Sequence, residues 1–148
     1  MIILGSEEEF DESKKIHLCA SLFMLGKDLL IVISGIQDHI GAITLAQPYI
    51  AHLNPNIKAK NVIIGEEKRV SSSISTLTQF HHRDDQLLSE FARTLSQQMN
   101  LVIAVVGGIH IDNITPDDIG TLSKMLGSIQ EKIISKIKDK KFLSRLKN

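Results

Sequence analysis

The sequence predicts an α+β domain: a largely antiparallel sheet with two main helices packed on one face. Three observations carry this. Short apolar runs bounded by Gly, Pro and Asn fill the first half of the chain. Apolar residues at three- and four-residue steps appear only later. The resulting order, several strands and then helix, strand, helix, differs from the regular alternation of a doubly wound nucleotide fold.

The elements follow in turn. Residues 1–13, with Glu7, Glu8, Glu9, Asp11 and Glu12, read as a loose acidic leader in which Ile2, Ile3 and Leu4 offer a short edge strand. The segment 14–25 places Ile16, Leu18, Ala20 and Leu22 on one parity, as a half-buried strand requires. Gly26-Lys27 supplies a two-residue hairpin turn. Asp28 to Ser34 is apolar on both parities, which predicts a central strand. A polar loop holds Asp38 and His39, and Ala42 to Ala46 is expected to pair back on the second strand. Pro48 and Pro55 mark a turn-rich connection. Lys60 to Ile64 is a short strand candidate, followed by a turn at Gly65-Glu66. Val70 to Leu77 has a Ser/Thr-rich strand pattern.

Leu88, Phe91, Leu95 and Met99 predict a helix over about 85–99, with Asp84 or Asp85 as its cap. Leu101 to Ile111 reads as another strand. Thr115-Pro116-Asp117-Asp118 starts a helix: a capping Thr, Pro in the first turn, and acids at the positive dipole end. Ile119, Leu122, Leu126, Ile129, Ile133 and Ile137 make it one long amphipathic helix, loosened at Gly127. Residues 14–137 thus form a single domain, and 138–148 a basic tail.

The totals exclude several classes of function. Lys+Arg and Asp+Glu are 17 each, so no basic face for nucleic acid is expected. Five Phe, one Tyr and no Trp argue against a stacking platform for single strands. No run approaches the roughly 20 apolar residues of a membrane span. The lone Cys19 rules out an internal disulfide framework and reads as a small buried hydrophobe. With no basic-then-apolar start, the reading is cytoplasmic.

Three polar clusters fall at element boundaries, where loops carry function on a rigid frame. They are Asp38-His39-Ile40-Gly41, His81-His82-Arg83-Asp84, and the stretch with Gly107, Gly108, His110, Asp112 and Asn113. Singly, each has a structural explanation. Gly41 suits a turn, Asp84 and Asn113 suit helix caps, and His110 between Ile109 and Ile111 suits the core. Together they suggest a site, and two chemistries are open to it. The first is a metal held by His39, His81 and His110, with Asp38, Asp84 or Asp112 as a carboxylate partner, although the spacings match no ligand motif. The second is anion binding. Gly107-Gly108 permits close backbone approach, the helix starts after Asp84 and Asn113 offer N–H groups, and Arg83 pairs with phosphate. Neither a Walker loop nor a dinucleotide fingerprint is present, and no nucleophile stands out. The residues favour a binding protein over an enzyme.

D-L-L-I-V-I-S-G at 28–35, H-I-G at 39–41, F-H-H-R-D at 80–84 and G-I-H-I-D-N-I-T at 108–115 together resemble the D-type subunits of bacterial gallate decarboxylase. That family is prenylated-flavin chaperone-like and shares a domain type with proteasome assembly chaperone 4. The resemblance spans about residues 14 to 137. It implies a proteasome assembly chaperone-like fold, a homodimer, and no catalysis by the chain itself. It further implies binding of prenylated FMN or FMN, with room for a divalent metal ion, and service to a UbiD-type decarboxylase. The positions it implies are His39 and Gly41, His81 and Asp84, and Gly108, His110 and Asn113. Three features depart from the family pattern: the short Gly35 to His39 loop, the charged ends, and His82 beside His81. Two rival functions remain: an assembly chaperone acting only through its surface, and a small metal-dependent enzyme built on the His cluster.

Overall fold

The computed structural model describes residues 1–35, 38–52, 68–80 and 84–138. They form β1 (Ile2–Asp11), β2 (Ile16–Leu25), β3 (Asp28–Ser34), β4 (Ala42–His52), β5 (Lys68–Thr78), α1 (Asp84–Met99), β6 (Ile103–Gly107) and α2 (Pro116–Lys138). One six-stranded sheet runs β1-β2-β3-β6-β4-β5. Every pairing is antiparallel except that of β3 with β6. The predicted fold class is the one observed.

Alternation builds the core. Ile16, Leu18, Ala20 and Leu22 of β2, Leu29, Ile31 and Ile33 of β3, and Ile103 and Val105 of β6 point to one side and are buried. Leu88, Phe91 and Leu95 of α1 and Leu122, Leu126, Ile129, Ile133 and Ile137 of α2 pack onto them as one cluster. Ile119, expected in that stripe, is exposed, and Met125, not counted in it, is buried. At Gly127 the helix runs on unbroken.

Hydroxyl groups tie α1 to the sheet. Thr44 Oγ1 lies 3.0 Å from Thr76 Oγ1, which lies 2.8 Å from Ser89 Oγ of α1. Thr76 of β5 thus bridges β4 to α1.

Three expectations are corrected. The acidic segment is not a loose leader. It pairs with β2 along its length, and its inward carboxylates meet α2: Lys136 Nζ donates to Glu7 and Lys132 Nζ lies 2.7 Å from Glu9. The partner lysines lie near the far end of the chain, so nothing local announces the strand. Next, β4 does not pair with β3, because the apolar strand β6 takes that place and β4 pairs with β6 and β5. β3 is central in the sheet, as expected, and on the side away from the helices Val32 is exposed. Finally, Cys19 is half-buried on that open side, with Sγ 3.8 Å from Glu8 Oε1. The strand expected at Lys60 to Ile64 and the tail from 139 lie outside the described residues. Among the described residues, no helix is long and apolar enough to cross a membrane.

Candidate functional site

The end of β6 and the start of β4 meet at a glycine crossing. Gly107 closes β6 at φ 155, a conformation open to glycine. A Cβ there would lie 2.0 Å from the Ile33 carbonyl oxygen. The Gly41 N–H donates to the Gly107 carbonyl at 3.0 Å, and the Gln79 N–H donates to the Gly41 carbonyl at 2.8 Å. Three segments far apart in sequence are therefore stitched together by backbone bonds. The Gly41 N–H is spent on this stitch, so its part in the site is architectural rather than anion capture.

Gly108 makes room for an imidazole. A Cβ on it would lie 2.5 Å from His39 Nε2 and 2.8 Å from Gly41 N. His39 rests over this bare backbone and meets His110 edge to face, with ring centroids 5.9 Å apart at 85°. Thus His110 faces His39 rather than pointing alone into the core. His110 Nε2 lies 3.1 Å from Asp112 Oδ1, within hydrogen-bond distance. Asp38 has a local task, accepting the Gly35 N–H at 3.1 Å.

Beside His39 opens a groove of about 530 Å³, lined by His39, Ile40, Gly41, Ala42, Ile43, Leu77, Thr78 and Gln79. That size falls within the roughly 300–1,000 Å³ usual for small-molecule sites. Ile40, Ala42, Ile43 and Leu77 give it a largely aliphatic lining, with His39, Thr78 and Gln79 as its polar members. The lining from Ile40, Ile43, Leu77, Thr78 and Gln79 was not singled out from sequence. The usable signal was the outward parity of Ile43 and Leu77, two large apolar side chains on the side of the sheet away from the helices.

His39, Gly41, Gly107, Gly108 and His110 are thus brought together. Asn113 is exposed in the following turn at φ 55. His81 and Arg83 lie outside the described residues, and Asp84 opens α1. Gln79, on the groove wall, stands two residues before His81 in sequence. Among the described residues, no group of three or more His, Cys, Asp or Glu side chains is placed to hold a metal.

One expected anion site is closed. At the start of α2, Thr115 Oγ1 accepts the Asp118 N–H at 3.2 Å, and Asp118 Oδ2 accepts the Thr115 N–H at 2.9 Å. Lys14 Nζ clamps both Asp117 and Asp118. These contacts, Lys14 first and Thr115 second, hold the Asp118 carboxyl below its ordinary range. A helix start already filled by two carboxylates repels a phosphate. The cap is Thr115, not Asn113.

The fold and the site first define a class: an α+β domain with helices on one face of a six-stranded sheet and a glycine-seated histidine pair. The chain is similar to one chain of a crystal structure described as a novel chaperone complex for yeast 20S proteasome assembly. The TM-score is 0.50 at 11% identity, over 93% of this chain and 99% of that one. No protein of curated function matches the chain. The model of the prenylated flavin chaperone LpdD-like domain matches residues 12–138, and the chain belongs to that family.

Proposed function

We propose that the chain is a non-catalytic accessory protein that binds prenylated FMN, or FMN, beside His39 and assists its maturation or delivery to a UbiD-type decarboxylase in the cytoplasm. The observation that carries this reading is His39, which packs against His110 and over Gly108 and also lines a largely aliphatic groove. A flavin needs such a pairing. Its ring takes apolar walls, and its phosphate takes hydrogen-bond donors such as imidazoles. Membership of a prenylated flavin chaperone family supports the choice of ligand and of decarboxylase client. Ile40, Ile43 and Leu77 would cover the ring, while His39, His110 and the Gly108 backbone would face the phosphate. Arg83 and His81 are proposed to join them from the neighbouring segment. The cofactor, when bound, supplies the electron-accepting ring on which the decarboxylase depends. This chain holds and protects it.

The test is uptake. Purified protein mixed with prenylated FMN should retain it through gel filtration, as read by absorbance and native mass spectrometry, and His110→Ala should weaken retention at least tenfold. If neither FMN nor its prenylated form binds at micromolar protein, the proposal fails. A surface-only chaperone is the second reading, favoured by the open apolar side of the sheet. On that reading, pull-down of a client would survive His39→Ala and His110→Ala together.

A further inference from the structure

An open sheet has two edge strands, and this chain treats them differently. β1 carries the usual safeguards against pairing with a foreign strand. Its register shifts between Ile3 and Gly5, Gly5 takes φ 100, and Glu7, Glu8, Glu9 and Asp11 follow. β5, at the other edge, lacks them. It pairs with β4 from Lys68 to Thr78 without a register shift. Its charges, Lys68 and Arg69, stand at its start, and the run Val70 to Thr78 has no charged residue, Pro or Gly. Among the described residues no strand pairs with its outer side. Every second residue there presents an unpaired N–H and C=O, along a strand about 35 Å long. A second, independent observation lies on the same strand. Ser72 is 5% exposed, and its Oγ is the one buried side-chain oxygen or nitrogen without a hydrogen-bond partner among the described residues. Leaving such a group unpaired is costly. Ser72 shares its parity with Thr76, on the side of the sheet that faces α1. On that side hydroxyl groups already pair from strand to strand, as Thr44 and Thr76 do at 3.0 Å.

We propose that the outer edge of β5 takes up an extended segment of a partner protein as a seventh strand, with a Ser or Thr of that segment opposite Ser72. The backbone selects the class of occupant. Alternating donors and acceptors along a strand are matched by another extended chain about 4.8 Å away. Ser72 selects a hydroxyl on the helix side of the incoming strand, the arrangement that Thr44 and Thr76 already show. Arg69 is exposed at the start of the edge and selects an acidic residue at one end of the segment. The position of the edge gives the contact a use. β5 ends at Thr78, and Leu77, Thr78 and Gln79 line the groove beside His39. A segment laid along β5 therefore ends at the groove wall and holds its owner beside whatever the groove contains. The edge and its occupant stand on the strand pairing and on Ser72. Only the identity of the partner as a decarboxylase rests on the flavin reading above.

The probe is a fluorescein-labelled peptide of alternating valine and threonine, about ten residues long and ended by two glutamates, the length of one strand. Its anisotropy should rise to saturation with the purified full chain at micromolar concentration. An all-valine peptide of the same length and ends should bind at least threefold more weakly, and Ser72→Ala should erase that difference. A peptide N-methylated at every second residue should not bind. Ser75→Lys and, as a second variant, Ser73→Lys put charge on the edge strand away from the groove. Each should weaken binding at least tenfold with an unchanged circular dichroism spectrum. Hydrogen exchange should show alternate β5 amides slowed by the peptide and β1 amides unchanged. No binding, equal binding of the N-methylated peptide, or protection at β1 would overturn the edge site. Outer β5 amides already slow in the chain alone would overturn it too, because the edge would then have another occupant. A threonine preference that survives Ser72→Ala would overturn the part given to Ser72. No flavin enters these readouts, so failure of flavin retention leaves this inference standing, and failure here leaves the proposed function standing.

Discussion

Replacing Gly108 by alanine tests the core of the site. The backbone at Gly108 does not need glycine for its dihedral angles, since its φ is not positive. The obstacle is space. The new methyl would stand 2.5 Å from His39 Nε2, 2.6 Å from His39 Cε1 and 2.8 Å from Gly41 N, against 3.4–4 Å for ordinary contact. The imidazole can swing away, being half-buried. The Gly41 nitrogen cannot, because its N–H is bonded to Gly107 and its carbonyl to Gln79. The variant must therefore lose the His39–His110 contact and also strain the crossing. Overpacking of this kind costs about 1–3 kcal/mol. Taking about 2 kcal/mol, thermal unfolding should fall by about 6 °C. Circular dichroism melting gives the first number, and the ring carbon–proton signals of His39 and His110 report whether the pair has parted. Gly107→Ala is the upper reference. Its methyl would meet the Ile33 carbonyl at 2.0 Å, and its φ is 155, so it should be far more damaging. A Gly108→Ala protein with wild-type melting and unshifted ring signals would refute this account of the glycine floor.

Three further outcomes are expected. Gly127 sits in the middle of α2 with nothing within 4 Å of an added Cβ, so Gly127→Ala should raise stability by about 1 kcal/mol in urea titrations; a loss would mean the helix needs that residue's flexibility. Thr115→Ala removes the cap of α2 and should cost about 1 kcal/mol by the same measurement, with no change in flavin retention. Glu9 is held below its ordinary range by Lys132 and then Ser128, Asp11 by Ser13, and Asp118 by Lys14. A carboxylate depressed in the folded state stabilises it above the ordinary range near pH 4, and that stability is lost as pH falls through the lowered values. The urea midpoint should thus hold steady from about pH 7 to 5 and drop below about pH 4, with a shallower drop in Lys132→Ala; an acid-insensitive midpoint would remove these pairs from the account.

Much of the fold was legible because it is local. The parity of Ile16, Leu18, Ala20 and Leu22 marks β2, and Thr115-Pro116-Asp117-Asp118 starts α2 at Pro116. What failed was non-local. Glu7 and Glu9 look solvated until Lys136 and Lys132 are brought opposite them. Nothing in Ala42 to Ala46 says that β6, made of residues some sixty positions later, will stand between it and β3. Val32 reads the same whether a helix or water lies above it. In the site, the residue types were readable at the boundaries, but the pairing of His39 with His110 depends on the crossing at Gly41 and Gly107. The groove floor was missed because Ile43 and Leu77 look like ordinary strand residues until their uncovered side is known.

The clasp between β1 and α2 has a consequence for synthesis. Glu7 meets Lys136 across 129 positions. The hairpin of β1 and β2 is local and can form as soon as both strands leave the ribosome, but its inner side then carries Glu7 and Glu9 beside one another. Their compensating lysines on α2 follow only after β6. Contacts of such separation form late in folding. β1 is therefore a waiting element, provisional during translation and locked only when α2 docks. A nascent chain arrested near residue 125 should show β1 open to protease, and one extended past residue 138 should show it closed.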